Sequence, residues 1–197
     1  YFGGVNYFNP EYEIYTRYSY SSNEKQGLSN PVVGRTIEDK NGNLWIGTEG
    51  GGLNYFNRRT REFKWYRPQE GRNSISHNNV KALYYDADKE IIWIGTHLGG
   101  LNRLDIRSGH FTHYRMEDNN RQTLPSDIVR DIIPYKDLLI VATQNGVCLF
   151  DPDSGKCRQL FKDSKEGKSI KMVADILLDS EGTLWIAATG EGVFNYR

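Results

Sequence analysis

The chain has 197 residues, enough for a sizeable core, and its 25 basic and 25 acidic side chains cancel. That balance argues against the basic excess of a nucleic-acid-binding surface, so no nucleic acid is expected as a partner. Two cysteines, Cys148 and Cys157, exclude a disulfide framework; no apolar run approaches the roughly 18 residues that span a bilayer, and no signal peptide is visible.

In chain order the predicted elements are short, apolar or alternating runs separated by turn residues, the pattern of strands. Residues 3–8 and 13–18 give two strands. Val33 to Glu38 gives a third, ended by the turn Asp39-Lys40-Asn41-Gly42. The stretch Asn43 to Asn54 contains the next two, and Glu62 to Tyr66 follows. Val80 to Asp86, Ile91 to Gly95, Gly100 to Asp105 and His110 to Tyr114 repeat the set, broken by turns at 86–90, 96–99 and 107–109. Ile128 to Ile133 comes next, then a turn at Pro134-Tyr135-Lys136-Asp137, a strand from Leu138, Gly146 to Asp151, and Cys157 to Leu160. Met172 to Leu178, the turn Asp179-Ser180-Glu181-Gly182, a strand from Thr183 and a last one from Gly192 complete the chain. No segment sustains a 3.6-residue period. Aromatic residues at 13% suit strands.

The order hides a repeat. Leu44-Trp45-Ile46-Gly47-Thr48 returns as Ile92-Trp93-Ile94-Gly95-Thr96, as Leu139-Ile140-Val141-Ala142-Thr143 and as Leu184-Trp185-Ile186-Ala187-Ala188. Gly4, Gly52, Gly100, Gly146 and Gly192 are equivalent, at spacings of 48, 48, 46 and 46 residues. Four antiparallel strands, a to d, at this period define an all-β fold of β-propeller blades. A solenoid is the rival architecture and fits four strands per repeat less well. The blades fall at 32–67, 79–115 and 128–161, with strands a to c of a further blade at 172–197 and strands c and d of a preceding one at 1–18. Trp45, Trp93 and Trp185 are expected between blades. Gly42 and Gly182 are expected to supply positive φ in the a–b turn, and Gly52 and Gly100 a close approach or bulge at the start of strand c. The chain begins and ends inside a repeat, as a piece of a longer protein would. Residues 5–18 could instead complete the last blade and close a four-bladed ring; part of a larger, seven-bladed propeller is the expectation.

These residues carry a family resemblance. Asp39, Gly42, Leu44, Trp45, Ile46, Gly47, Thr48, Gly52, Leu53 and Asn54, echoed by Trp93 to Thr96 and Gly100 to Asn102, resemble the two-component regulator propeller repeat. The trailing segment Asn73-Ser74-Ile75-Ser76-His77-Asn78, with echoes at Thr123 to Ser126 and Lys168 to Ile170, belongs to the same pattern. The third unit lacks the Trp and the a–b glycine, and the fourth has Ala187-Ala188 for Gly-Thr. The resemblance implies the periplasmic sensor region of a hybrid two-component histidine kinase, anchored in the inner membrane, with tandem seven-bladed propellers. It also implies an oligosaccharide signal and control of polysaccharide utilisation, with kinase parts outside this chain. Implied partners are an oligosaccharide ligand, the remaining blades and neighbouring domains of the receptor, and a second copy in a homodimer.

No catalytic constellation stands out. A glycosidase needs two carboxylates at a set separation on one face, and the Asp-x-x-Gly turns place Asp three residues before Gly, unlike the two of a sialidase Asp-box. A scaffold for protein–protein contact or dimerisation is the second reading, and a propeller glycoside hydrolase or lyase the third. No cofactor or metal is expected, since His110 and His113, three apart on a strand, point to opposite faces. Cys157 is expected opposite Phe150 with Cys148 its diagonal neighbour, a poor disulfide geometry that favours two buried free thiols. Strand parity puts the b–c and d–a loops on one face, and the d–a loops are the long polar ones. Binding concentrates in such loops. The ligand-binding candidates there are Arg72, His77, Asn78, Glu49, His97, Asn120 and Arg121, whose side chains suit sugar hydroxyls and acidic groups.

Overall fold

The computed structural model describes residues 4–9, 14–161 and 170–197. Predicted strand residues 3 and 13, and the echo at Lys168 and Ser169, lie outside the described residues. Strands β1 (Val5–Asn9) and β2 (Ile14–Tyr18) pair antiparallel, and a single 3₁₀ turn, Glu24–Gln26, follows among the described residues. The first four-stranded sheet is β3 (Val33–Glu38), β4 (Leu44–Thr48), β5 (Gly52–Asn57) and β6 (Glu62–Tyr66). The second is β7 (Val80–Asp86), β8 (Ile91–Thr96), β9 (Leu101–Asp105) and β10 (Phe111–Tyr114). The third is β11 (Val129–Tyr135), β12 (Leu138–Thr143), β13 (Gly146–Phe150) and β14 (Cys157–Gln159). The last is β15 (Val173–Leu178), β16 (Leu184–Ala188) and β17 (Gly192–Tyr196). Every sheet is an antiparallel meander in sequence order: the three four-stranded sheets are propeller blades, β15–β17 supplies three strands of a fourth, and β1–β2 two strands of another.

The a strands β3, β7, β11 and β15 run side by side along the axis. The core lies between blades rather than within one. Trp45 and Leu53 of the first blade pack on Leu83, Ile92, Ile94, Leu104 and Phe111 of the second. Trp93 and Leu101 pack on Leu139, Val141 and Phe150 of the third. Ile140 and Val147 pack on Ile176, Leu184 and Ile186 of the fourth. Two-sided burial explains why the b strands are apolar throughout instead of alternating. β1–β2 packs through Val5 and Tyr18 on Phe56 and Phe63 of the first blade. It forms a sheet separate from β15–β17, so the four-bladed closure weighed from sequence does not form.

The recurring a–b turn is an Asx turn with a clamp. Asp39 Oδ1 accepts the N–H groups of Asn41 and Asn43, and its Oδ2 accepts the Trp45 indole N–H at 3.3 Å. Asp179 repeats this with Glu181, Thr183 and Trp185; Gly42 and Gly182 close both turns at φ +78° and +79°. At Gly52 and Gly100 the close approach is present, since a Cβ would sit 2.2 and 2.3 Å from the carbonyls of Tyr66 and Tyr114. The bulges are elsewhere: every a strand shifts register near its start, between Val33 and Thr36, Val80 and Ala82, Val129 and Asp131, and Val173 and Asp175. In the third blade β11 runs on through Pro134 and Tyr135, which the sequence reading assigned to the turn. β11 is an edge strand, where a residue without an N–H is tolerated. His110 lies just outside β10 and is exposed.

Candidate functional site

The b–c loops and d–a connections share one face, and its inner rim is built by a repeated backbone contact. Glu49, His97, Gln144 and Thr189 each follow a b strand. Their N–H groups donate to the carbonyls of Val32, Asn79, Ile128 and Met172, the residues that precede the a strands. The arrangement fixes one side chain per blade around the mouth of the axial channel. Gln144 and Thr189 were not singled out from sequence, although their register with Glu49 and His97 marks them.

Four candidates meet at this mouth. The Asn78 carbonyl accepts the N–H groups of Gly50 and Gly52 at 3.3 and 2.7 Å, tying the connection into the second blade to the b–c loop of the first. Asn78 therefore works through its backbone. Glu49 accepts a hydrogen bond from Lys81, the bulged residue of β7, at 2.5 Å; the bulge turns Lys81 toward the neighbouring blade. His77 Nδ1 accepts the Asn79 N–H at 3.0 Å, which assigns the proton to Nε2. Burial, then the His97 imidazole, then the Arg115 guanidinium push the His77 pKa below 6.5, so the neutral ring is favoured. The His77 and His97 rings lie 6.4 Å apart, and His97 Nδ1 is buried without a hydrogen-bond partner among the described residues. Two imidazoles, with the Arg115 guanidinium near His77, are groups able to meet a hydroxyl or an acidic group.

The remaining candidates stand apart. Arg72 donates to Gln69 on the exposed connection. Asn120 donates to Glu117 and accepts from the Gln122 N–H, and with Arg121 it lines a cleft of about 590 Å³ whose other walls include Asn145, Gln159 and Lys171 over Leu124. The seven residues thus divide into a channel mouth, a cleft beside the third blade and one separate surface arginine.

Deeper in the channel lies a cluster invisible from sequence spacing. Arg35 of β3 donates to Asp175 of β15 at 3.1 Å and lies 3.4 Å from Asp131 of β11. Asp131 also accepts the N–H groups of Ile132 at 3.0 Å and, across the blade junction, of Ile176 at 3.4 Å. Burial first, and then the carboxyl of Asp175, raise the Asp131 pKa to about 6 against the pull of Arg35. Among the described residues no group of three or more His, Cys, Asp or Glu is placed to hold a metal ion.

The buried polar groups explain the trailing signature. Asn54 Oδ1 accepts the Ser29 N–H and its amide donates to Ser29 Oγ, both at 2.8 Å. Asn102 holds Ser76 in the same way. Each connection is latched to the blade it enters, and Leu28-Ser29 is a copy of the signature that sequence reasoning passed over.

With this geometry the chain can be set beside known proteins. Residues 27–50 and 74–97, each running from a latched connection through strands a and b, match the two component regulator propeller family. Those two segments are thus similar to the two-component regulator propeller repeat. No match is found among curated proteins. Among solved structures, the extracellular domain of BT3049 from B. thetaiotaomicron, described as a hybrid two component system, is 28% identical with a TM-score of 0.77. That match covers 86% of this chain and 24% of the other. The extracellular domain of BT4673 from the same organism, described as a one component system, is 24% identical with a TM-score of 0.77, over 98% of this chain and 27% of its own. PorZ, a surface component of the type-IX secretion system of Porphyromonas gingivalis, is 20% identical with a TM-score of 0.71, over 96% of this chain and 28% of its own. The last two speak to the fold alone. The chain spans about a quarter of the length of these structures. It is a set of propeller blades resembling the extracellular domains of hybrid two-component systems, and no described helix is long and apolar enough to cross a membrane.

Proposed function

We propose that this chain forms part of the periplasmic sensor propeller of a membrane-anchored hybrid two-component receptor and has no catalytic role of its own. Its ligand is an oligosaccharide, and the output is control of polysaccharide utilisation through kinase parts outside the chain. The observation that carries this reading is the set of backbone ties that gathers Glu49, Asn78 and His97 on one rim and brings the His77 and His97 rings to 6.4 Å. Several loops supply the site, so a ligand bound there bridges blades and biases how they pack. A ligand shifts such an equilibrium only by its differential affinity for the two states. The remaining blades of the receptor cover the apolar face of the fourth blade, where Leu177, Trp185 and Val193 are exposed.

Calorimetric titration of the receptor's sensor region with a panel of oligosaccharides tests the proposal. His97→Ala should weaken binding at least tenfold, about 1.4 kcal/mol, and Arg72→Ala should leave it unchanged. Full affinity in His97→Ala removes the mouth as the site, and no binding by any member of the panel removes the sugar-sensing reading itself.

A further inference from the structure

The third blade departs from its neighbours at two positions that touch. Counting from the shared glycine, strand c of the first two blades carries the buried latch residues Asn54 and Asn102, paired with Ile46 and Ile94. The equivalent residue of β13 is Cys148, paired with Val141. On strand d, Phe63 pairs with Phe56 and Phe111 with Leu104, and the equivalent residue opposite Phe150 is Cys157. The serine that the latch asparagine holds is also gone: Pro125 stands where Ser29 and Ser76 stand, and offers neither a hydroxyl nor an N–H. The third blade has thus lost both halves of the latch, as has the fourth with Phe194 and Lys171 in their places, and the third alone carries two cysteines on adjacent strands.

The register is the diagonal one expected from sequence, with Cys148 opposite Gln159, and both residues are buried free thiols. The diagonal does not keep the sulfurs apart. Cys148 donates to the Cys157 sulfur at 3.3 Å, because sheet twist swings one diagonal of an antiparallel pair inward. β14 is a three-residue edge strand held on its outer side by the Cys157 N–H, which donates to the Gln122 carbonyl at 2.7 Å, so the ångström or so that separates this contact from a bond is closed by the side-chain torsions of the two cysteines.

We propose that Cys148 and Cys157 are the site of a disulfide that replaces the Ser–Asn latch in the third blade. Two thiols react with the disulfide of a small-molecule or protein oxidant. A sulfur–sulfur bond forms between strands c and d, the oxidant's bond breaks to two thiols, and two electrons and two protons pass to it. The reaction takes place during folding. Once the blade packs, Cys148 is fully buried and Cys157 nearly so, and the hydrogen bond to Cys157 and burial push the Cys148 thiol far above its ordinary range, so no thiolate is presented to solvent. In the cell the reaction needs an oxidising compartment, and in that respect it rests on the extracytoplasmic placement proposed above.

Peptide mapping of the whole chain tests the bond. Trypsin cuts after Lys136, Lys156 and Arg158, which puts the cysteines on separate peptides, 137–156 and 157–158. Reduced, unfolded chain is refolded with oxidised glutathione, alkylated in denaturant and digested. The expected product is the two peptides joined, two hydrogens lighter than their sum and lost on reduction. Recovery of both cysteines alkylated or as glutathione adducts overturns the proposal. Reductant should lower the unfolding temperature of the linked protein by about 5–10 °C and leave Cys157→Ser unmoved; no shift in the wild type also overturns it. A bond formed on refolding but absent from protein recovered from cells upholds the geometry and counts against the extracytoplasmic placement.

Discussion

At the scale of single residues, the small side chain near the end of each b strand sets how closely the blades approach. A Cβ on Gly95 would lie 2.6 Å from Val129 Cγ1 and 2.9 Å from Ala82 Cβ, and one on Gly47 would lie 2.6 Å from Val80 Cγ1. The first residue of the next blade's a strand sits directly on the glycine. Gly95→Ala should therefore overpack the junction and cost about 1–3 kcal/mol, read as a lower denaturant midpoint with an unchanged slope. An unchanged midpoint would mean that the blades separate freely there. The third blade already carries Ala142 at this position, paired with Asp131 as Gly95 pairs with Ala82. Ala187 of the fourth blade stands at the same position. Trp45 and its acceptor Asp39 were each legible from the repeat, but the reason for their spacing is the indole-to-carboxylate bond that the turn creates.

At the scale of elements, the bulge in each a strand decides which side chains enter the channel, and it brings Asp131, Asp175 and Arg35 together from β11, β15 and β3. The strands packed on β11 add few charges: β8 and β12 carry none, and Lys81 of β7 is engaged by Glu49. Asp131 is raised from 3.8 to about 6 in the folded chain, so the folded state holds this proton more tightly than the unfolded one. Its contribution to stability is complete below pH 3.8 and is lost as the pH rises through about 6. Asp131→Asn cannot titrate. The unfolding free energy of the wild type should fall relative to that of Asp131→Asn between about pH 4 and 6, as followed by denaturant titration at several pH values. Parallel profiles for the two proteins would rule out this assignment. His77 works in the opposite sense, since its lowered pKa costs stability as pH falls below 6.5; it is only partly buried, and its effect cancels in the comparison.

At the scale of the molecule, the blades are equivalent in sequence but not in surroundings. Trp45 and Trp93 are 2% and 1% exposed, whereas Trp185, on a face of the fourth blade that no other described blade covers, is 38% exposed. Trp93→Ala should cost about 3–5 kcal/mol, and Trp185→Ala less than half of that in this chain by itself. Equal costs, measured by chemical denaturation, would mean that the open face is already covered, for instance by a second copy. Leu177 and Val193 beside Trp185 are 61% and 66% exposed, an apolar patch of the kind that marks a contact surface.

The sequence by itself determined the blade, its four strands, their order and the face on which the long loops emerge, because all of these follow from local periodicity, turn chemistry and the parity of an antiparallel meander. It also marked Glu49, His77, Asn78 and His97 as loop residues on that face. Their convergence, the separation of Arg72, Asn120 and Arg121 from them, the Arg35–Asp131–Asp175 cluster and the contact between Cys148 and Cys157 were decided only by tertiary structure. Each depends on how far one twisted sheet is rotated against the next, or on how twist moves a diagonal pair. A repeat period specifies that rotation only once the side chains between the sheets are packed.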